Sequence, residues 1–146
     1  MITYRAIVPS AVIKDIYALL HAHWLELEQG LADGPSPNVE LYRACEQAGL
    51  TVALGVFDGD TMVGYAVAFV SRHPHYDVTY AQHDSLFVQR EYRLGRVAMN
   101  LKQKMEQACK ERGAKFIAWH AKCDSPFDRL LSKMHPKEES VYVKEL

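Results

Sequence analysis

The chain has 146 residues, of which 49% are hydrophobic and 24% are charged, and its formal net charge at pH 7 is −1. This length and composition are typical of one globular domain with a substantial core, so we expect a single domain over residues 1–146. The balanced charge argues against a general affinity for nucleic acid or anionic membranes, and no apolar run approaches the ~20 residues of a membrane span.

Cysteine and histidine usage adds two expectations. The three cysteines lack C-x-x-C spacing and the N-terminus lacks the apolar segment of a signal peptide, so we expect reduced thiols in a cytoplasmic protein. The seven histidines show no zinc-ligand spacing, so the prediction for metal is none.

The first third of the chain predicts one strand and two helices. Residues 2–8 read as a strand, and an apolar stripe predicts a helix over residues 10–29. Residues 30–37 are rich in Gly and Pro and read as a loop. A second helix is predicted from Ser36, with Pro37 at its first position and Gly49 as its stop.

The remaining elements follow from hydrophobic periodicity and turn residues. Two β-rich runs around Asp58-Gly59 predict a hairpin, and Gly113 predicts the end of a long helix. The other predicted elements are strands at 78–88, 115–121 and 141–146 and a short helix at 124–134. The order is βααβββαβαβ, in which the strands at 78–88 and 115–121 should be parallel neighbours.

The junction from Asp84 to Leu101 carries the clearest functional signal. Its strand runs through a turn that holds Arg90, Arg93, Gly95 and Arg96 into the long helix. The first N–H groups of a helix have no partner within the helix and favour an anion. Arginines nearby add the positive charge that a pyrophosphate needs. The pattern therefore predicts a phosphate-binding turn.

The details of this turn indicate a family. R-x-x-R-x-A at Arg93 to Ala98 resembles the R/Q-x-x-G-x-G/A loop that binds acetyl-CoA in the GNAT superfamily of N-acetyltransferases. The wider string F-V-Q-R-E-Y-R-L-G-R-V-A is most similar to the small GNAT proteins of bacteriophages and prophages. The predicted element order is also that of the GNAT fold: α/β, with helices on both faces of a mixed sheet and an N-terminal antiparallel hairpin.

The resemblance implies an acyl donor and the residues that bind it. The donor would be acetyl-CoA, with its pantetheine arm in a gap opened by a bulge in the strand before the turn. Backbone N–H groups of the turn would hold the pyrophosphate, and an N–H near Phe87 or Val88 would polarise the thioester carbonyl. The implied cofactor-binding residues are Leu86, Phe87, Val88, Arg93, Leu94, Gly95, Arg96, Val97, Ala98, Asp124, Ser125 and Phe127.

The acetyl acceptor would be a primary amine, which must lose a proton before it attacks. Simple strand alternation places Asp84 and Gln82 on the face of Leu86 and Val88. Asp84 is therefore the first candidate for base or amine-orienting group, followed by His83 and His120. A structural hydrogen bond or plain exposure is the alternative for each of the three.

Further expectations concern the thiolate, the acceptor and the partners. The family's usual proton-donating Tyr position holds Leu131, so Tyr142 or an unassisted thiolate would have to serve. Glu26, Glu28 and Asp33 could attract a cationic amine or simply be exposed. A homodimer is compatible with the sequence, and a modified base remains open as an acceptor. The alternative function is a CoA-binding or protein-binding module without catalysis, such as a phage factor in the host cytoplasm.

Overall fold

The computed structural model describes residues 1–28 and 33–146, and a five-stranded mixed sheet is its central element. The strands lie side by side in chain order, antiparallel from the first to the fourth and parallel between the fourth and fifth. They are β1 (Ile2–Ala6), β2 (Thr51–Asp58), β3 (Thr61–Arg72), β4 (Thr79–Val88) and β5 (Ile117–Ala118).

Helices cover both faces of this sheet, as the resemblance to the GNAT fold predicts. They are α1 (Pro9–Val12), α2 (Tyr17–His23) with a π-helical continuation (Trp24–Glu28), α3 (Val39–Gln47), a 3₁₀ turn (Arg90–Tyr92), α4 (Val97–Glu111) and α5 (Pro126–Met134). No helix of the described chain is both long and apolar enough to span a bilayer.

Two buried clusters show which helix covers which face. On one face, Leu101 and Met105 of α4 pack against Val56 and Val88 of the sheet. On the other face, Leu19 of α2 packs against Tyr65 and Phe87. β4 thus contributes buried side chains to both clusters, which places its backbone in the middle of the molecule.

Several predicted features are confirmed. The hairpin between β2 and β3 turns at Gly59, whose φ of +61° is a conformation that glycine adopts without strain. The parallel pairing of β4 and β5 and the long helix after the turn are also as predicted. Gly49 and Gly113 have positive φ and follow the ends of α3 and α4, as expected of C-terminal stops.

The predicted N-terminal helices are partly wrong. The helix expected over 10–29 is interrupted by a turn between α1 and α2, and its predicted end at Gln29 lies outside the described residues. The second helix begins at Val39, not at Ser36. Its start is fixed by Asn38, whose side chain accepts a hydrogen bond from the N–H of Leu41 at 3.0 Å, so Pro37 precedes the helix.

The C-terminal strands are also shorter than predicted. The strand expected over 115–121 is reduced to Ile117–Ala118, and residues 141–146 form no strand. The observed order therefore lacks the last β of the predicted βααβββαβαβ. Val141, Tyr142 and Val143 are 74%, 92% and 85% exposed, so little apolar burial is gained to offset the entropy of ordering a strand.

Candidate active site

A β-bulge in β4 organises the site. Val67 of β3 lies opposite Ser85, but the next residue, Ala68, lies opposite His83, so Asp84 is an extra residue in the ladder. Such a bulge locally disrupts the ladder and re-aims nearby side chains. The bulge expected in this strand is therefore present, at the position of the first candidate base.

The bulge reverses the face on which Asp84 lies. Leu86 and Val88 pack in the α4 cluster, whereas Asp84 and Ser85 line a cavity on the opposite face, beneath α1 and α2. The expectation that Asp84 shares a face with Leu86 and Val88 is wrong, because strict alternation holds only in a regular strand. His83 was expected on the face opposite Leu86 and Val88. It lies instead on their face, where it packs against Trp119 of the α4 cluster.

Beyond the bulge, one edge of β4 diverges from β5. In the described chain, the two strands pair only at Ala81–Ile117 and Gln82–Ala118. The N–H of Gln89 donates to Val63 O of β3 at 2.9 Å. Since successive N–H groups of a strand point to opposite edges, the N–H groups of Val88 and Leu86 point to the edge away from β3. This open edge is where the predicted pantetheine gap would lie.

The turn into α4 has the geometry of an anion site. Gly95 has a φ of +85°, and a Cβ there would meet nothing within 4 Å. Arg96 is the exposed N-cap residue, and its side chain does not cap the helix. The first turn of this 15-residue helix holds no acidic residue. The N-terminal amides and the helix dipole therefore favour a negative charge at this end.

The side chain of Arg93, the first residue of the motif, is bonded to other groups of the protein. Its two Nη atoms lie 2.6 and 2.7 Å from the two carboxylate oxygens of Glu26, and its Nε donates to Val88 O at 2.7 Å. The guanidinium also lies 5.3 Å from the centre of the Phe87 ring. Arg93 thus positions the turn, and of the three arginines of the turn, Arg90 and Arg96 are the exposed ones.

The start of α5 lies on the far side of the β4–β5 gap. Phe127 packs edge-on to the Trp119 ring, with the ring centres 5.9 Å apart, and lies 6.0 Å from His83. Ser125 caps α5 by accepting a hydrogen bond from Asp128 N at 3.1 Å, and Asp124 adopts a φ of +62°. Of the three predicted wall residues, Phe127 is thus a neighbour of the candidate His83, and Asp124 and Ser125 lie just before it at the start of α5.

His83 and His120 are neighbours, but His83 is poorly suited to take a proton. The backbone N–H of His120 donates to Nδ1 of His83 at 3.3 Å, and the Nε2 atom of His83 is buried without a partner in the described structure. Burial, with a smaller contribution from His120, lowers the pKa of His83 to about 3. A group that resists protonation so strongly is a weak general base.

Asp84 has the better environment for proton transfer. The hydroxyl of Tyr42, on α3, donates to Oδ2 of Asp84 at 2.6 Å. The carboxylate remains exposed toward the cavity, which also contains the hydrogen-bonded pair of His23 and Tyr65, with Nδ1 and the hydroxyl 2.6 Å apart. Sequence reasoning missed Tyr42, His23 and Tyr65 as site residues. Tyr42 and His23 were placed in apolar helix stripes, and a polar side chain in such a stripe was the only available signal.

Other candidate residues lie elsewhere or lack a role in the site. Leu131 is half-buried on α5, and Tyr142 lies in the exposed C-terminal segment. The Glu26 carboxylate is engaged by Arg93, while Asp33 is exposed and the side chain of Glu28 is outside the described part of the structure. Among the described His, Cys, Asp and Glu side chains, no group of three or more could hold a metal ion.

Comparison with known proteins identifies the class. The family model of the acetyltransferase (GNAT) family matches residues 16–130. Because this match covers well over half of the chain, the protein belongs to the GNAT acetyltransferase family. It is therefore an enzyme of the acyltransferase class, from a family that generally uses acetyl-CoA as acyl donor.

Solved structures support the fold at low sequence identity. An aminoglycoside acetyltransferase from an uncultured soil metagenomic sample is 19% identical with a TM-score of 0.79, covering 100% of this chain and 98% of that one. A second soil enzyme of this kind, in complex with sisomicin, is 16% identical with a TM-score of 0.73 and coverages of 99% and 95%. The ribosomal-protein-alanine N-acetyltransferase of Brucella melitensis biovar Abortus 2308 is 17% identical with a TM-score of 0.74 and coverages of 100% and 99%. No curated protein sequence matches the chain.

The described residues fit an acetyl-CoA molecule. The N-terminus of α4, which has no side-chain cap and no acidic residue in its first turn, would receive the pyrophosphate. The open edge of β4 offers amide groups to the pantetheine arm. Gly95 leaves room for close backbone approach at the turn. These three features lie along one path from the N-terminus of α4 to the bulge.

Proposed function

We propose that this protein acetylates a primary amine, with acetyl-CoA bound at the α4 turn and along the open edge of β4. The observation that carries the proposal is the bulge. It places the Asp84 carboxylate in the cavity on one face, at the point where the other edge of β4 separates from β5. An amine entering the cavity would therefore meet a carboxylate beside the gap.

The chain's residues would act in defined roles. When bound, acetyl-CoA supplies the acetyl group as a thioester. The backbone N–H of Val88 would donate to the thioester carbonyl oxygen, and the amides of residues 96–98 would bind the pyrophosphate. Asp84 would accept the proton of the ammonium group, with Tyr42 holding its orientation through the 2.6 Å hydrogen bond. The amine nitrogen would form the new C–N bond as the C–S bond breaks, and the sulfur would leave with the electron pair as a thiolate and take up the proton that the nitrogen then loses.

This assignment revises the predicted residue roles. Asp84 stays the proposed base, whereas the low pKa of His83 argues against proton transfer by that residue. His120, the third candidate base, would instead have a positioning role through its contacts with His83. Acetyl-CoA would be contacted by residues of the strand and the turn: Leu86, Val88, Leu94, Gly95, Arg96, Val97 and Ala98. Arg93 and Phe87 would support them, and Asp124, Ser125 and Phe127 would close the far side.

Three further statements about this protein are still predictions. The likeness to phage-type members, a cytoplasmic location and a homodimer are predictions that the family membership leaves open. The non-catalytic binding module is less favoured, because the cavity carboxylate and the open strand edge are both in place.

Thiol release from acetyl-CoA in the presence of a panel of primary amines tests the proposal. We expect turnover with at least one amine and a loss on the order of 10²-fold in Asp84→Asn. The matched control is Asp60→Asn, in the exposed hairpin turn. In parallel, acetyl-CoA at 100 times its Kd should add about 2.7 kcal/mol of apparent stability in a thermal melt. Stabilisation without turnover by any amine would support the binding module instead.

A further inference from the structure

The cavity beneath α1 and α2 has a composition that restricts its ligand. Its volume is about 230 Å³, below the roughly 300–1,000 Å³ of sites for drug-sized ligands. Val12, Ile13, Ile16 and Leu20 line it from the helices, and Val67 lines its floor. These side chains give the cavity an apolar side that suits a small apolar body, and the rest of the wall is polar, with His23, Tyr42, Tyr65 and Asp84 among its residues.

Among the described residues that line the cavity, formal charge is found at one position. Asp84 is the only carboxylate among the described lining residues, and Lys and Arg are absent from them. The nearby carboxylate of Glu26 is bonded to Arg93, a contact that holds the pKa of Glu26 below its ordinary value. One ammonium group can thus pair with Asp84, and a further ammonium group would find no second carboxylate among the described lining residues.

We propose that the acetyl acceptor is a small monocationic amine with an apolar body, whose ammonium group pairs with Asp84 while its body fills the cavity. This inference rests on the proposed function and names its substrate class. It separates this chain from the aminoglycoside acetyltransferases of similar fold, since an aminoglycoside carries several amino groups and many hydroxyls. The bulge allows one ligand to make both interactions, the ion pair and the apolar contact, because it places the Asp84 carboxylate at the edge of the apolar side chains.

A ligand pair tests the charge requirement. 2-Phenylethylamine and its neutral isostere 2-phenylethanol would be titrated into the protein by calorimetry, with and without CoA. We expect the amine to bind at least ten-fold more tightly than the alcohol in the wild type, and this preference to disappear in Asp84→Asn. Equal binding of amine and alcohol to the wild type, or no binding of the amine, would overturn the proposal.

A cavity-filling variant tests the location. Val12→Trp should weaken 2-phenylethylamine binding at least ten-fold while the stabilisation by acetyl-CoA in a thermal melt persists, which also reports that the variant is folded. Val8→Trp is the matched control, because Val8 is 53% exposed and outside the cavity. If Val12→Trp does not fold, Val12→Phe is used in the same comparison. Undiminished amine binding in the folded variant would contradict the location.

Turnover separates this inference from the proposed function. We expect kcat/KM for 2-phenylethylamine to exceed those for spermidine and sisomicin at least ten-fold. Faster turnover of spermidine or sisomicin would overturn the substrate class but leave the N-acetyltransferase proposal intact. Cavity-dependent binding of 2-phenylethylamine without turnover of any amine would support the cavity's ligand class and count against the proposed reaction.

Discussion

Arg93 and Glu26 connect the turn before α4 to the π-helical continuation of α2. The two Nη–O distances of 2.6 and 2.7 Å describe a bidentate pair between groups 67 residues apart in the chain. Both side chains are about one-third exposed, so solvent screens the pair in part. The contact makes the position of the turn depend on the π-helical segment that contains Glu26.

A double-mutant cycle measures this connection. We expect Glu26→Gln and Arg93→Gln to show a coupling free energy of about 1 kcal/mol in urea unfolding at pH 7. The hydrogen bond and charge of Arg93 lower the pKa of Glu26 below its ordinary value of 4.5. The carboxylate's contribution is therefore complete above pH 4.5 and is lost as the pH falls through the lower, folded-state pKa. A coupling that persists unchanged once Glu26 is protonated would contradict the assignment.

Arg96 is the better candidate for direct electrostatic contact with the acyl donor. It is exposed at the N-terminus of α4 and makes no cap bond there. We expect Arg96→Ala to raise the Kd for acetyl-CoA roughly 3–10-fold, more at low salt than at high salt. Affinity for acetyl-pantetheine, which lacks the pyrophosphate, should not change.

Lys110→Ala is the matched control for this substitution, since Lys110 is an exposed cation in the last turn of the same helix. Its effect on both ligands should be small. Equal losses for acetyl-CoA and acetyl-pantetheine in Arg96→Ala would indicate a distorted turn and not a lost phosphate contact.

Tyr42 is expected to act through Asp84. Tyr42→Phe removes the donor that lies 2.6 Å from Asp84 Oδ2 while keeping the ring. We expect kcat/KM to fall about 5–30-fold, the equivalent of ~1–2 kcal/mol, with the Kd for acetyl-CoA unchanged. In Asp84→Asn, adding Tyr42→Phe should cost little more, because the two residues act as a pair. Tyr76→Phe, in the exposed loop after β3, serves as control, and additive losses would argue against the pair.

Much of the fold, and the turn before α4, could be predicted from the sequence because those features depend on local rules. The Asp58-Gly59 turn, the helix periodicity after Gly95 and the glycine stops each follow from a few adjacent residues. The turn motif also led to the correct family. What failed depended on contacts between distant segments, such as the β4–β5 pairing that ends after two residue pairs.

The site residues likewise divide into those set by local sequence and those set by contacts between distant segments. A bulge was expected in β4, but its position determines the face of every later side chain, and alternation placed Asp84 on the wrong face. Arg93 occupies its motif position, yet its partner Glu26 is remote in sequence, so the ion pair could not be predicted. Tyr42 and His23 were invisible for the same reason, since their hydrogen-bond partners lie on other elements.

His83 predicts a specific acid sensitivity. Its folded-state pKa of about 3 lies below the ordinary value of 6.5 because the ring is buried. The unfolded chain therefore binds a proton near pH 6.5 that the folded chain refuses. Above pH 6.5 the His83 ring is neutral in both states, so its contribution to the free energy of unfolding is fully present. As the pH drops from 6.5 toward 3, the free energy of unfolding falls by up to about 1.4 kcal/mol per pH unit. His83→Leu should reduce this slope, measured by urea unfolding between pH 7 and 4, whereas His75→Leu in an exposed loop should not. An unchanged slope in His83→Leu would mean that the ring protonates in the folded state.

Lys102 provides the sharpest test of core energetics. Its side chain is 1% exposed, pairs with Glu106, lies 2.9 Å from His135 Nε2 and sits 5.2 Å from the centre of the Trp119 ring. Removing the carboxylate leaves the buried ammonium group uncompensated, whereas removing the ammonium group leaves a carboxylate that is one-third exposed and still accepts a hydrogen bond from Trp119 Nε1 at 3.1 Å. We therefore expect Glu106→Gln to lower the free energy of unfolding by about 2–3 kcal/mol, reduced from the fully buried case because Glu106 is one-third exposed.

Lys102→Met should cost less than Glu106→Gln, because methionine fills the same space without a charge to solvate. The double variant Lys102→Met/Glu106→Gln should be more stable than Glu106→Gln alone, since it no longer contains a buried ammonium group without its carboxylate. Urea unfolding at pH 7 gives all three values, with Lys110→Met as the exposed control on the same helix. If Lys102→Met proved the more damaging single change, the ammonium group would be contributing net stability through Trp119 and His135, and the energetic ordering derived from its burial would be wrong.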